Sequence, residues 1–257
     1  MLSGGDRDRL LLCVRGWFDA PAQVQHYQEE ASNGPTMAEA WLLGALPTTG
    51  RVLDLGCGAG HLSTMLVHQG YDVVGADVSL ELLRIAAASR REGGAAARFL
   101  PVDPLRLPFQ ESTFDAALAF KVYGYLPGRA ARQQYLHEVC RLLRPDAPLL
   151  LTQYVVTAEI FRTYRLQADH QRAAARFPSL ESGDAFTLGG EGYLHVFTPA
   201  QLRRELVSSG LDLVTFVSDR PHGGEGWLRF AVLRKPSPDV ESRPTLVASA
   251  GGTEDTP

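Results

Sequence analysis

Three acids and three glycines are the residues of this chain whose types and spacing could do chemistry. In Arg51-Val52-Leu53-Asp54-Leu55-Gly56-Cys57-Gly58-Ala59-Gly60, an acid sits inside an apolar run and glycines alternate after it. Glycine there supplies positive φ and leaves no Cβ where backbone must touch a ligand. Asp77 ends the next apolar run, Tyr71-Asp72-Val73-Val74-Gly75-Ala76, and falls 77 − 56 = 21 residues after Gly56. A doubly wound fold places at that point the carboxylate that accepts both ribose hydroxyls. A third acid, Asp103, opens Asp103-Pro104-Leu105-Arg106-Leu107-Pro108-Phe109. A dinucleotide-binding loop reads G-x-G-x-x-G and would need glycine where His61 stands. Here the spacing is G-x-G-x-G.

That spacing, with Asp54 two residues before its first glycine, resembles motif I of the class I S-adenosylmethionine-dependent methyltransferases. The resemblance runs from about residue 36 to 234. Asp103 through Phe109 resembles the family's D-x-x-x-L-P-F segment, and Phe114-Asp115-Ala116-Ala117 its F-D-x-x strand. Leu143-Arg144-Pro145 resembles the start of an L-x-P-G-G turn, with Asp146-Ala147 replacing both glycines. The resemblance implies an α/β, Rossmann-like fold: a seven-stranded, mostly parallel sheet with an antiparallel final hairpin and helices on both faces. It implies S-adenosylmethionine as cofactor, held by Asp54, Gly56, Cys57, Gly58, Gly60, Asp77, Val78, Asp103, Pro104 and Phe120, with Asp103 beside the adenine amino group. No metal ligand set is implied.

The acceptor side is written less clearly. A sulfonium already carries a good leaving group, so alignment and exclusion of water are the protein's main tasks. A general base is added when the acceptor is a hydroxyl or an ammonium. Relatives often carry a histidine pair just before Leu-Pro; here Gly124 and Tyr125 precede Leu126-Pro127. Tyr125 is a candidate to contact the acceptor, or else an aromatic wall. His195, in Tyr193-Leu194-His195-Val196-Phe197-Thr198, is the leading base candidate; its alternative is a histidine that ties down a loop. His222 is expected in the final hairpin loop, facing the cleft, or else as an exposed turn residue. His61 is expected to position rather than catalyse, and His26, His68, His137 and His170 read as helix-surface residues. Lys121, a cation at the carboxyl end of the fourth strand, either steers an anionic acceptor or snorkels to solvent. Arg162, Arg165, Arg172 and Arg176 mark either an anion-recognition face or an ordinary solvated one.

These residues need a scaffold of alternating strands and helices. Strands are expected at 51–55, 72–76, 97–102, 114–120 and 148–154, then an antiparallel pair at 211–218 and 227–234. A nicotinamide-binding sheet ends parallel, a second argument against an oxidoreductase. Residues 1–46 read as an N-terminal helical cap, broken at Pro21 and Asn33-Gly34-Pro35 and lying over the cofactor cleft. The methyltransferase domain is expected over 47–235. Within it 157–195 is a lid insertion, with a helix near 158–177 and a glycine-rich stretch at 183–192. Thr198-Pro199 opens the following helix, with Thr198 as its N-cap. Residues 236–257, rich in Pro, Ser, Gly and Thr, read as a disordered tail.

With 257 residues, 45% of them hydrophobic, the chain suffices for one sizeable core. A net charge of −4 argues against non-specific attraction to nucleic acid or an anionic membrane. No apolar run reaches membrane-span length, and Asp6 and Asp8 spoil a signal-peptide reading of Leu10–Val14. Cys13, Cys57 and Cys140 lie far apart without a C-x-x-C, which suits a reducing cytoplasm. The sequence therefore predicts a cytoplasmic methyltransferase, monomer or homodimer, acting on oxygen or nitrogen of a small molecule. The alternative is a cofactor-binding scaffold or regulator without turnover.

Overall fold

The computed structural model describes residues 2–30, 33–88, 97–166, 168–187 and 189–237. The expected tail lies almost wholly outside them. Val52, Leu53 and Leu55 are each no more than 3% exposed, so strand β1 (Arg51–Leu55) is covered on both faces, as its unbroken apolar run requires. It lies at the centre of a seven-stranded sheet. β2 (Asp72–Asp77) and then β3 (Arg98–Pro101) flank it on one side, β4 (Ala116–Phe120) and then β5 (Pro148–Tyr154) on the other, all parallel. The chain reverses direction across the sheet between β1 and β4, and such a switch point opens a crevice at the carboxyl ends of the strands. Beyond β5 the sheet closes with β9 (Leu228–Arg234), antiparallel both to β5 and to the edge strand β8 (Asp212–Ser218). This is the expected mostly parallel sheet with its antiparallel closing hairpin.

Period-two alternation sorts the sheet's side chains into two cores. Leu53, Leu55, Ala117, Ala119, Leu149 and Leu151 face helix α6 (Arg129–Leu142) and helix α9 (Pro199–Val207). Val52, Ala116, Leu118 and Leu150 face helix α3 (Met37–Leu43) and helix α4 (His61–His68). Helix α5 (Leu80–Ala88) links β2 to the β3 edge. At the turn where relatives carry glycines, Asp146 takes φ +63°, a left-handed conformation that a short polar side chain tolerates.

A third core joins segments that the sequence reading kept apart. Helix α1 (Gly4–Phe18) contributes Leu10 and Val14, and a second helix, α2 (Pro21–Glu30), follows it directly. Against α1 pack Ala173, Phe177, Phe186 and Tyr193 from the connection after β5. That connection holds two helices, α7 (Ala158–Arg165) and α8 (Ala168–Ala174), rather than one over 158–177. They are followed by a small antiparallel hairpin, β6 (Asp184–Phe186) with β7 (Tyr193–His195). His170 is only 6% exposed, so it is a core residue and not the surface residue its helical setting suggested. Arg162, Arg172 and Arg176 are exposed.

Candidate functional site

A cavity of about 1300 Å³ opens at the switch point, between the carboxyl edge of the sheet and helices α1 and α2. The βαβ connection builds its floor. β1 delivers Asp54, the glycine turn follows, and β2 brings Asp77 alongside. Gly58 takes φ +52° and donates its N–H to Asp77 Oδ2 at 2.8 Å, while Ser79 N–H donates to Oδ1 at 2.8 Å. At Gly56, φ +69°, a Cβ would overlap the Val122 side chain. At Gly58 a Cβ would meet only the edge of Tyr27, at 4.0 Å, so any larger side chain would project into open cavity. Asp54, Gly56, Cys57, Gly58, Asp77, Val78, Asp103, Pro104 and Phe120 all line this one cavity. Gly60 does not. It sits behind the turn as the N-cap of α4, with φ +80°.

The floor is electrostatically unfinished. Asp54 is 3% exposed and accepts a 2.6 Å hydrogen bond from Ser63 Oγ. Burial pushes its carboxyl up to about 6, with the nearby Asp77 adding to the shift. Burial raises Asp77 as well, against the hydrogen bonds from Ser79 and Gly58. Among the described residues, neither carboxylate takes an ion pair from lysine or arginine. A third polar group is also unmatched: the Tyr135 hydroxyl, buried on α6 at the cavity wall, has no hydrogen-bond partner among the described residues. Two unneutralised carboxylates, an orphan hydroxyl and a backbone cradle with no Cβ fit a cationic nucleoside such as S-adenosylmethionine. Asp77 would suit the ribose of either nucleoside, but a buried acid such as Asp54 beside the glycine turn does not fit the doubly anionic pyrophosphate of a nicotinamide dinucleotide.

Beside the end of β4 the cavity is walled by aromatic rings. The Phe18 ring meets Tyr125 edge-on at 4.9 Å and lies 5.8 Å from Tyr27. Burial raises the hydroxyl pKa of both tyrosines, so neither is poised to accept a proton near neutrality. Lys121 lies at the same end and carries the left-handed backbone angle φ +61°, which costs a non-glycine residue roughly 1–3 kcal/mol. Its N–H donates to the backbone oxygen of Thr152, at 2.8 Å. Its ammonium is 3.2 Å from Glu39 Oε1, so it does not simply snorkel to solvent.

Two histidines fall elsewhere than the sequence suggested. His195, read as the leading base, is 4% exposed, lies on β7 and is not part of the cavity wall. Its Nδ1 is 2.7 Å from Asp184 Oδ1, which also accepts a 2.7 Å hydrogen bond from the Tyr193 hydroxyl. Burial would raise the Asp184 carboxyl, but those two hydrogen bonds hold it below its ordinary value. Glu181, Asp184 and His195 form the one cluster of metal-ligating type among the described residues; its ligand atoms are already engaged with Arg132, Tyr193 and one another. His195→Ala should therefore act on stability, lowering it by about 1–3 kcal/mol through the stranded Asp184. Urea denaturation measures this, and unchanged stability together with lost turnover would restore the histidine as a base. His222 stacks on Trp41 at 4.0 Å instead of facing the cavity, because its loop folds back onto α3; no residue of 219–226 lines the cavity. His61 lines the cavity beside the glycine turn.

Tyr27, Glu39 and Tyr135 escaped the sequence reading as individual site residues. Only Tyr27 gave a signal, as part of the aromatic stretch assigned to the cap.

Comparison with known proteins agrees with this geometry. A family model described as a methyltransferase domain matches residues 52–146. The demethylmenaquinone methyltransferase of Thermus thermophilus is 30% identical over 191 residues, covering 66% of this chain and 83% of that protein. The ubiquinone biosynthesis O-methyltransferase of Agrobacterium fabrum is 29% identical over 164 residues, 64% of this chain but only 60% of its own length. Among solved structures, the 1,6-didemethyltoxoflavin-N1-methyltransferase of Burkholderia thailandensis, determined with that compound and S-adenosylhomocysteine bound, superposes with a TM-score of 0.66. It covers 92% of both chains at 20% identity, a likeness of fold.

Proposed function

Because this chain belongs to the class I S-adenosylmethionine-dependent methyltransferases, we propose that it transfers a methyl group to oxygen or nitrogen of a small molecule. The observation that carries the reading is the cavity itself: a floor matched to a cationic nucleoside, continuous with an aromatic-walled chamber. Two of the relatives are named for quinone chemistry, which supports a small ring-bearing acceptor. Asp77 would take the ribose hydroxyls, the turn at Gly56 and Gly58 would pass along the cofactor, and Asp103, exposed at the rim, would meet the adenine. Asp54 and the Tyr135 hydroxyl, which line the same cavity, would hold the polar amino-acid end. When bound, the cofactor supplies an activated methyl group on a sulfonium. The chain's share is then to hold the acceptor in line, with Tyr27, Phe18 and Tyr125 excluding water from the chamber. Three unpaired cysteines fit a reducing, cytoplasmic setting. Among the described residues no helix is long and apolar enough to cross a membrane.

A second reading, cofactor binding without turnover, draws on one observation: His195, the expected base, does not line the cavity. The two readings separate in one experiment. Protein is incubated with methyl-labelled S-adenosylmethionine and a panel of hydroxylated and amino-substituted rings, and S-adenosylhomocysteine and methylated products are followed by mass spectrometry. Product from any ring supports methyl transfer. Tight cofactor binding with no product across the panel supports the scaffold.

The buried Asp54 makes cofactor affinity depend on pH. A cationic ligand favours the ionised carboxyl, so the bound-state pKa falls below the free-state value of about 6. Affinity for S-adenosylmethionine should be flat above pH ~7 and fall as pH drops through about 6, approaching tenfold per unit when one proton must leave. Titration calorimetry from pH 5 to 8 measures this, and a flat profile would remove Asp54 from the cofactor's contacts.

A further inference from the structure

We infer that Lys121 selects the acceptor: its ammonium, held by Glu39, binds the oxygen anion of an acidic hydroxyl, a phenolate or enolate on a small planar ring. The inference rests on the methyl-transfer reading and adds to it the chemical class of the acceptor.

The backbone shows that the lysine is placed for its side chain. Lys121 leaves the end of β4 at φ +61°, where glycine would sit without strain. Its N–H is fixed by both the carbonyl and the hydroxyl of Thr152, at 2.8 and 3.1 Å, so the strained turn is held from the neighbouring strand. On either side Phe120 and Val122 line the cavity, as Lys121 itself does.

Glu39 fixes the other end of the side chain. Its Oε2 is taken by the N–H and hydroxyl of Thr36, at 3.0 and 3.1 Å, in the capping box of α3, which leaves Oε1 for Lys121 at 3.2 Å. An ammonium has three donors, and Glu39 Oε1 is its one carboxylate partner among the described residues. Burial would lower the lysine's pKa and raise the glutamate's; their attraction reverses both, so the pair stays ionised. The other groups facing Lys121 are Glu30 on α2 and Tyr154 at the end of β5, which also favour its charge.

The chamber around this cation is walled by the rings of Phe18, Tyr27 and Tyr125, and burial keeps both tyrosines protonated. A hydroxyl acceptor that brings its own acidity needs no proton acceptor there, and a fixed ammonium lowers the pKa of such a hydroxyl by about 1–3 units. The hydroxyl proton leaves to solvent as the acceptor binds. An oxygen lone pair then forms the new O–C bond while the S–C bond breaks, its electrons staying on sulfur. The products are a neutral ether and S-adenosylhomocysteine.

The probe is 4-nitrophenol, whose anion absorbs in the visible, titrated in the presence of the full-length protein saturated with S-adenosylhomocysteine. The ionisation midpoint of the bound phenol should fall by about one unit or more, a tenfold or greater preference for the anion. Lys121→Met should abolish the shift and Lys121→Arg retain most of it, with S-adenosylhomocysteine affinity unchanged in both. Lys121→Gln, which keeps a donor toward Glu39, serves if the Met variant does not fold. A midpoint unmoved by the wild-type complex, whether the phenol stays free or binds without preference, overturns the inference. So does an equal shift in the Met or Gln variant. Wild-type protein that binds no S-adenosylhomocysteine overturns the methyl-transfer reading itself, by a separate measurement on the same samples.

Discussion

Asp77→Ala should weaken S-adenosylhomocysteine binding by about two orders of magnitude or more, measured by titration calorimetry. Hydrogen bonds to a charged group contribute roughly 1.5–3 kcal/mol each, and a ribose offers two hydroxyls to one carboxylate. The variant loses more than those contacts. Asp77 also accepts from Gly58 and Ser79, so its removal unties the glycine turn from β2. Asp77→Asn separates the two effects, because an amide oxygen keeps an acceptor but carries no charge. Stability of the ligand-free protein should change far less, since removing a buried charge offsets the lost hydrogen bonds. Unchanged affinity in Asp77→Ala would mean that the acid ending β2 is not the ribose carboxylate.

Arg132→Ala should be the most destabilising single change outside the apolar core, by about 3–5 kcal/mol, because it leaves a buried carboxylate without its cation. Arg132 is 1% exposed and makes a two-pronged contact with Glu205, at 2.9 and 2.8 Å. The Tyr123 hydroxyl donates to the same carboxylate at 3.0 Å, and Glu181 approaches the guanidinium at 3.4 Å. Burial would raise Glu205, but Arg132 holds it below its ordinary value. Without the arginine that carboxyl titrates upward, and a raised folded-state pKa means stability recovers as pH falls. Urea denaturation should thus show the largest loss near neutrality and a smaller one near pH 5. Arg132→Met combined with Glu205→Leu should recover much of the deficit. A loss under 1 kcal/mol in Arg132→Ala would show that the contact contributes no more than an exposed ion pair.

The difference between these two residues measures what was legible in the chain. Asp54, Asp77 and the glycines are fixed by one βαβ unit, where local spacing is spatial arrangement. The strands were legible for the same reason, since unbroken apolar runs mark buried parallel strands. Their starts were less so: β4 begins at Ala116 and not at 114. Phe114 bridges to Leu143, and Asp115 meets Arg51 through its own N–H and its side chain, before the regular register begins at Ala116. Arg132 sits 73 residues from Glu205, a pairing that only the tertiary fold creates. Nothing local distinguishes it from Arg129 beside it. His195 was open for the same reason: a histidine before a helix is ambiguous until Asp184, eleven residues earlier, is folded against it.

The core shared by α1 and the connection after β5 decides how the cavity's wall is anchored. Leu10 and Val14 are interdigitated with Phe177, Phe186 and Tyr193, and Trp17 lies directly over Gly192. The two segments thus form one packed layer, yet only α1 lines the cavity, and none of the described residues of 157–195 does. A change in that connection therefore reaches the site only through α1, as a shift of the wall and not as a lost contact.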